Sequence, residues 1–296
     1  MPAKRKSILF ITTADTDILA ADRALAGMPK GFARVTAYNP AFITSSDSQE
    51  ELLATASTAD AVLLRLLGGK QAMPELFDPL ISVCQARGVR LIACPGHEEW
   101  DQDLVSACSA PPAEVDTVFS YLMRGGIQNM SNLFLFLSDT YFDTDYGHEA
   151  PAPLPWEGIY HPDYQETSDA AAFVKNNFKP GLPSVGVLFY RAHWMSGNLQ
   201  AIDALVRRLE ALGANVLPVF SYSLKHSPDG ESEPNRTFTQ ILTGDDGLPR
   251  VHCIVNTMAM AMSDLNSEPE TGGPTIASGW PVDYLQKLDV PMIQGI

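Results

Sequence analysis

Positive charge is scarce in this sequence, and that scarcity narrows the classes of function open to it. The 20 lysines and arginines are outnumbered by 35 aspartates and glutamates, so the formal net charge is −15. A nucleic-acid-binding protein needs clustered basic side chains to neutralise phosphates, and the charge therefore argues against that class. Long apolar runs are missing as well, since none reaches the roughly 18 residues that a membrane-spanning helix needs. No membrane span is predicted.

Cysteine is also rare, and its four positions are irregularly spaced: Cys84, Cys94, Cys108 and Cys253. No CxxC pair occurs, which argues against a zinc knuckle. Most of the four lie in apolar runs, where a free cysteine behaves as a small apolar side chain. We therefore expect buried, reduced thiols and a cytoplasmic protein.

The chain length predicts two domains. Its 296 residues exceed one small core and suit two domains of roughly 150 residues each. A boundary is predicted near residue 182, in "KPGLPS", which gives domains 1–182 and 183–296. The first domain includes a proline-rich extension at about 147–182. Its segment "EAPAPLPWEGIYHPDY" is predicted to lack regular structure, because proline removes a backbone donor and restricts its neighbours.

Short apolar runs alternate with amphipathic, helix-length segments in both halves. The predicted strands are "SILFITTAD", "FARVTAYNP", "DAVLLRLLGG" and "VRLIACPG", then "SVGVLFYR", "ANVLPVFSYS", "RVHCIVNTMAM" and "DVPMIQGI". Continuous apolar strands separated by helices are typical of parallel sheets covered on both faces. The predicted fold class is α/β, with two doubly wound, mostly parallel-sheet domains of the Rossmann/flavodoxin-like type. The last strand coincides with the end of the sequence, so we expect an incomplete second domain and a fragment of a longer polypeptide.

Functional residues of open parallel sheets gather at the carboxyl ends of the strands. After the third strand, "RLLGGK" offers two glycines and Lys70 but not the P-loop spacing, so a tight turn is favoured over a phosphate site. After the fourth, "PGHEEWD" groups His97, Glu98, Glu99 and Asp101. A solvated acidic loop is favoured there over a cation site, because adjacent residues seldom converge on one metal.

The stretch "SVGVLFYRAHWMSGN", residues 184–198, combines three functional side chains after an apolar strand. Arg191 can pair with carboxylates, His193 can ligate a metal or move a proton, and Trp194 offers a flat apolar surface. They suit a large, flat, carboxylate-bearing ligand. The alternative, that Trp194 packs against a neighbouring domain and His193 bonds a carbonyl, stays open on these residues alone.

Eight stretches, in the same order, resemble the N-terminal part of the large subunit in the cobaltochelatase/magnesium-chelatase H-subunit family. They are "LLRLLGGK", "PELFDPL", "ACPG", "YLMRGGIQNMSNLFLFLSD", "PAPLPWEGIYHPD", "SVGVLFYRAHWMSGN", "RLEALGANVLPVFSYSLK" and "GWPVDYLQKLDVPMIQGI". The resemblance covers nearly all of residues 8–296, and "FYRAHW" and "GIYHPD" are its most specific signals. His97 departs from the acidic residue usual after the Pro-Gly of the fourth strand.

The resemblance implies ATP-dependent insertion of a divalent metal into a tetrapyrrole. "LLRLLGGK" and "YRAHW" resemble the cobalt branch more closely, which implies Co²⁺ as substrate metal and hydrogenobyrinic acid a,c-diamide as macrocycle, in cobalamin biosynthesis. The large subunit binds both. ATP is hydrolysed by an AAA+ ATPase subunit and its companion subunit, so no nucleotide site is expected in this segment. The 296 residues alone are expected to be inactive.

Residue types within the resembling stretches suggest roles. His193 is the predicted catalytic residue and metal ligand, with His161 as its helper, because an imidazole can deliver a metal or accept pyrrole protons. The predicted substrate-binding residues are Lys70, Tyr190, Arg191, Trp194, Asn198 and Asn256. Two alternatives remain: a magnesium-chelatase large subunit of the H type acting on protoporphyrin IX, and a non-catalytic module for tetrapyrrole binding or docking.

Overall fold

A computed structural model of the chain describes residues 5–97, 101–222, 236–258 and 286–295. Contacts divide the chain into two compact units. Unit 1 comprises Met1–Leu154 with Met195–Gly197, and unit 2 comprises Pro155–Trp194 with Asn198–Ile296. Each unit has its own sheet.

The described elements of unit 1 alternate between strands and helices along the chain. In order they are β1 Ser7–Thr12, α1 Asp15–Ala26, β2 Arg34–Tyr38, a 3₁₀ turn Pro40–Phe42, α2 Ser46–Thr58, β3 Ala61–Leu66, a 3₁₀ turn Gly69–Ala72, α3 Phe77–Arg87, β4 Arg90–Pro95, α4 Gln102–Ala107, α5 Pro112–Arg124 and α6 Gly126–Tyr141. Local chemistry sets several of their ends. A Ser45–Ser48 capping box begins α2, and Gly88, with φ 65°, ends α3.

The unit 1 sheet is parallel, with strand order β2-β1-β3-β4. Strand order reverses beside β1, because β2 lies on one side of it and β3 on the other. Alternate side chains fill two cores. Ile8 and Phe10 pack with α1, α5 and α6, whereas Leu9 and Ile11 pack with α2, α3 and α4. Burial on both faces explains why these strands read as continuous apolar runs.

Unit 2 contains a mixed sheet of six described strands. Its elements are β5 Glu157–His161, β6 Tyr164–Thr167, α7 Ala170–Asn177, β7 Ser184–Tyr190, α8 Arg191–Ser196, α9 Gln200–Ala211, β8 Asn215–Ser221, a π-helical turn Thr237–Ile241, β9 Cys253–Asn256 and β10 Met292–Gln294, where the last two residues of α8 group with unit 1. The strand order is β10-β9-β7-β8-β5-β6. Strands β7 to β10 are parallel, and β5 and β6 add an antiparallel hairpin beside β8.

The α/β class with mostly parallel sheets is confirmed, but two details predicted from the sequence differ. Residues 157–167 form a hairpin, although the segment 149–164 was predicted to lack regular structure. The prolines of that segment precede the first strand or lie in the turn, where no ladder donor is needed. Since β5 pairs with β8, the division by contacts falls at Pro155 and not near residue 182. The sequence also predicts a short helix in "VDYLQKL", of which residues 282–285 lie outside the described residues.

Candidate functional site

The residues that follow β7 lie at the carboxyl edge of the unit 2 sheet. Strand β7 is central, with β8 on one side and β9 on the other, so the strand order reverses beside it. Ligands of open α/β sheets bind at such a reversal. Arg191 follows β7 directly and begins the short helix α8.

Arg191 is a buried cation at this edge. Its side chain packs so closely that the residue is only 6% exposed. Its Nε donates a hydrogen bond of 2.7 Å to the carbonyl of Pro155, and its guanidinium carbon lies 4.5 Å from the centroid of the Trp156 ring. Burial lowers the pKa of Arg191 to about 10, although Tyr222 and Glu157 act in the opposite direction. The guanidinium therefore stays charged at neutral pH.

Trp156 and Tyr222 form an exposed aromatic pair beside this cation. Their ring centroids are 5.2 Å apart with 67° between the planes, and the residues are 36% and 57% exposed. The backbone N–H of Tyr222 donates to the carbonyl of Trp156 at 3.0 Å. That bond continues the β5–β8 ladder, in which Glu157 pairs with Ser221.

Neither Trp156 nor Tyr222 was among the site residues predicted from the sequence. Trp156 stood in a segment expected to be irregular, and Tyr222 lies 66 positions away along the chain. The alternation of "EGIYH" between glycine, aliphatic and aromatic residues before a His-Pro-Asp turn was the available signal for a hairpin strand.

Trp194 and Tyr190 pack on opposite faces of the unit 2 sheet. The indole of Trp194 stacks on Phe220 with centroids 4.3 Å apart and 3° between planes, on the face that packs with α9. Tyr190 belongs to the other core, with Leu188 and Phe178. Phe189 belongs to the same core as Trp194. Because side chains alternate along a strand, its neighbour Tyr190 points to the opposite face of the sheet. The structure therefore does not bring Tyr190 and Trp194 together as one platform.

His193 and Asn198 lie closer to solvent. His193 is half-buried and Asn198 is exposed. The Asn198 backbone N–H donates to the His193 carbonyl at 2.9 Å, which ties the end of this segment to α8. Of the predicted residues, Arg191, His193 and Trp194 thus lie within one span of four residues at the sheet edge.

Asn256 and His161 are buried, and both have protein partners. The Asn256 amide donates to the Met258 carbonyl and to Gln294 Oε1, at 3.1 and 3.0 Å, and its Oδ1 accepts from the Met258 N–H. Nε2 of His161 lies 3.1 Å from Glu210 Oε1, while its Nδ1 accepts from the N–H of Asp163. These contacts hold a turn after β9 and a hairpin against α9. They favour structural roles for both side chains.

Lys70 belongs to unit 1, whereas the other predicted site residues belong to unit 2. Its Nζ pairs with Asp103 Oδ2 at 3.1 Å, and both side chains are well exposed. The hydrogen bond to Asp103 raises the pKa of Lys70. Gly68 and Gly69, with φ of 89° and 59°, make the tight turn that the sequence favoured over a phosphate loop.

Unit 1 also contains a buried ion pair between Arg65 and Asp17. Arg65 Nη1 lies 2.7 Å from Asp17 Oδ1, and the Thr12 hydroxyl donates to Asp17 Oδ2 at 2.8 Å. The two side chains are 15% and 9% exposed. The pair links β3 to α1 beside the reversal of strand order.

Metal ligands are not gathered in the part of the chain that the structure describes. Within those residues, no group of three or more histidine, cysteine, aspartate or glutamate side chains could hold a metal ion. Glu98 and Glu99 of the predicted acidic loop lie outside them. Metal binding by His193 stays a prediction. Helices in the described ranges are all too short or too polar to cross a membrane.

Comparison with known proteins identifies the family. The family model described as CobN/Magnesium Chelatase matches residues 119–296, a stretch that includes the whole unit 2 site. The aerobic cobaltochelatase subunit CobN of Pseudomonas aeruginosa is 27% identical over 224 residues, which are 74% of this chain and 18% of that protein. The magnesium-chelatase H-type subunit of Chlorobaculum parvum is 32% identical over 109 residues, 35% of this chain and 8% of that protein.

A solved structure is similar over almost the whole chain. The catalytic subunit of cobaltochelatase from Mycobacterium tuberculosis superposes with a TM-score of 0.68 at 26% identity, covering 98% of this chain and 21% of that one. The chain belongs to the CobN/magnesium chelatase family. It spans about a fifth of the length of the curated relatives that it matches first.

Proposed function

We propose that this chain contributes a tetrapyrrole-binding part of the large subunit of an ATP-dependent cobaltochelatase. The enzyme would insert Co²⁺, its substrate metal, into hydrogenobyrinic acid a,c-diamide during cobalamin biosynthesis. The observation that carries the proposal is the similarity to a solved cobaltochelatase catalytic subunit over 98% of the chain. The longer match to a cobaltochelatase relative than to a magnesium-chelatase relative supports the cobalt branch.

Arg191, His193 and Trp194 carry the proposed chemistry. Arg191 keeps a positive charge beside the sheet edge and attracts the peripheral carboxylates of the macrocycle. His193, which is half-buried beside it, accepts pyrrole protons or passes the metal on as the macrocycle is metallated. Trp194 supplies an apolar ring beside Phe220. Lys70, Tyr190 and Asn198 remain predicted contacts. The engaged side chains of Asn256 and His161 leave both residues outside the proposed site.

An AAA+ ATPase subunit and its companion subunit are the proposed partners. They hydrolyse ATP, and this segment supplies no P-loop sequence of its own. The chain is proposed to work in the cytoplasm, which agrees with its free cysteines Cys84, Cys94, Cys108 and Cys253.

The test is metal insertion by the assembled enzyme that contains this sequence, together with its ATPase partners. Hydrogenobyrinic acid a,c-diamide with Co²⁺ and protoporphyrin IX with Mg²⁺ are supplied in parallel, and insertion is followed by absorbance. ATP-dependent insertion of cobalt alone supports the proposal. Insertion of magnesium alone assigns the chain to the other branch, and binding of either macrocycle without insertion leaves a non-catalytic module.

His193→Ala tests the role of the histidine. Because a positioned proton acceptor contributes about 10²-fold or more, insertion should slow by about that factor while macrocycle affinity changes little. His148→Ala, in unit 1, is the matched control and should leave insertion unchanged. Equal insertion rates for His193→Ala and the unmodified enzyme would show that His193 has no catalytic role.

A further inference from the structure

The aromatic pair at the unit 2 edge has the geometry of a corner. Trp156 has the Arg191 guanidinium over its ring at 4.5 Å, and Tyr222 meets it at 67° with centroids 5.2 Å apart. Two hydrogen bonds hold this corner: the Tyr222 backbone N–H donates to the Trp156 carbonyl, and the Arg191 side-chain Nε donates to the carbonyl of the neighbouring Pro155. The corner is therefore preorganised, although both rings remain accessible to solvent.

The buried cation determines which ligands this corner prefers. A guanidinium over an indole is attracted to its π electrons and draws them towards itself. The exposed part of the ring then becomes a better partner for an electron-rich π system, and stacked rings favour such complementary charge distributions. The same positive charge, on a residue that is itself only 6% exposed, attracts carboxylates at the rim of a ligand.

We propose that Trp156 and Tyr222, with Arg191 over the Trp156 ring, form a stacking site for a planar macrocycle that carries carboxylates. The macrocycle stacks on one ring and places its edge against the other. This inference rests on the proposed function and adds two residues, Trp156 and Tyr222, that were not among the predicted site residues. Tryptophan, tyrosine and arginine are also frequent at protein interfaces. The Arg191 guanidinium lies against the Trp156 ring, and Arg191 is only 6% exposed. This arrangement suits a flat ligand better than the side chains of a partner protein.

The experiment is a titration of the full chain with uroporphyrin, a planar macrocycle with eight carboxylates, followed by the shift of its main absorption band. Trp156→Leu should weaken binding about tenfold, since stacking on one aromatic side chain is worth about that factor. Trp156→Phe, which keeps a smaller ring, should lose about threefold. Phe42→Leu is the matched control, because Phe42 is an aromatic residue of unit 1 that is 73% exposed. This variant should bind uroporphyrin as the unmodified chain does. Butane-1,2,3,4-tetracarboxylate, which has carboxylates but no ring, should not displace uroporphyrin.

Each outcome has a distinct meaning. Equal uroporphyrin affinity for the unmodified chain, Trp156→Leu and Trp156→Phe overturns the stacking site, and so does a lack of binding by the unmodified chain. Loss of metal insertion in Trp156→Leu without loss of uroporphyrin binding assigns the surface to a protein partner and overturns it too. None of these results bears on ATP-dependent cobalt insertion by the unmodified enzyme, so failure of the proposed function is recognised separately. Circular dichroism and a thermal midpoint verify folding of each variant, and Trp156→Phe serves if Trp156→Leu does not fold.

Discussion

Separating Arg65 from Asp17 should destabilise unit 1 far more than removing both charges together. Their ion pair is 2.7 Å long, largely buried, and joins the end of β3 to the first turn of α1. Arg65→Met would leave the Asp17 carboxylate with the Thr12 hydroxyl as a donor. Asp17→Asn would leave the Arg65 guanidinium without its carboxylate. The Nε of that guanidinium is already buried without a hydrogen-bond partner.

The magnitude follows from desolvation. Breaking a buried pair from one side costs about 3–5 kcal/mol, because an uncompensated charge remains. The slight exposure of both side chains places each single variant near the lower end, at about 3 kcal/mol. The double variant leaves no charge unpaired and should cost only about 1–2 kcal/mol. That cost comes from the new side-chain amide that replaces the Asp17 carboxylate and from the lost hydrogen bond between Arg65 Nη1 and Asp17 Oδ1. The coupling energy is therefore large.

Hydrogen exchange is the suitable assay, because two compact units need not unfold together and a global melt mixes them. Opening free energies are measured for peptides that cover β1 and β3 in the four proteins of the double-mutant cycle. Peptides from β7 serve as the internal control and should not change. If the two single effects simply add in the double variant to within about 0.5 kcal/mol, the pair does not act as a unit and the reasoning is refuted.

Three further predictions concern local features of unit 1. Gly69→Ala should lower the thermal midpoint more than Gly68→Ala. An added Cβ at Gly69 lies 2.1 Å from the carboxylate of Asp101, the residue that caps α4, whereas nothing lies within 4 Å of an added Cβ at Gly68. Equal shifts of the thermal midpoint would contradict this. Burial raises the pKa of the Cys84 thiol to about 11. Iodoacetamide should therefore label this thiol at pH 7.5 only after unfolding, as measured by mass spectrometry. Rapid labelling of the native chain would contradict the prediction. Burial alone raises the pKa of Asp139, but hydrogen bonds from a following loop outweigh it and the pKa is lowered. The native state then binds fewer protons, so this stabilisation is present above about pH 4 and is lost as pH falls through the lowered pKa; acid titration of Asp139→Asn should show a shallower loss, and an unchanged curve would exclude the effect.

Much of the fold was predictable because its signals are local. The apolar runs of β1, β3, β4, β7 and β8 are strands buried on both faces, and such burial is written into contiguous residues. Arg191, His193 and Trp194 could be singled out for the same reason, since they follow one such strand directly. A parallel sheet necessarily places the ends of its strands at one edge.

Other features arise only when distant segments pair. The hairpin of β5 and β6 was missed because its stability comes from β8, about 60 residues further along the chain. That pairing brings Trp156 to Tyr222, places both beside Arg191, and moves the division between the units to Pro155. Tyr190, the last residue of β7, packs in one core of unit 2, whereas Trp194 of α8 packs in the other. Sequence by itself determined which segments are strands and which functional groups follow them, whereas only the tertiary structure decided which of those groups meet, because hydrogen-bond register across a sheet is a property of two segments and never of one.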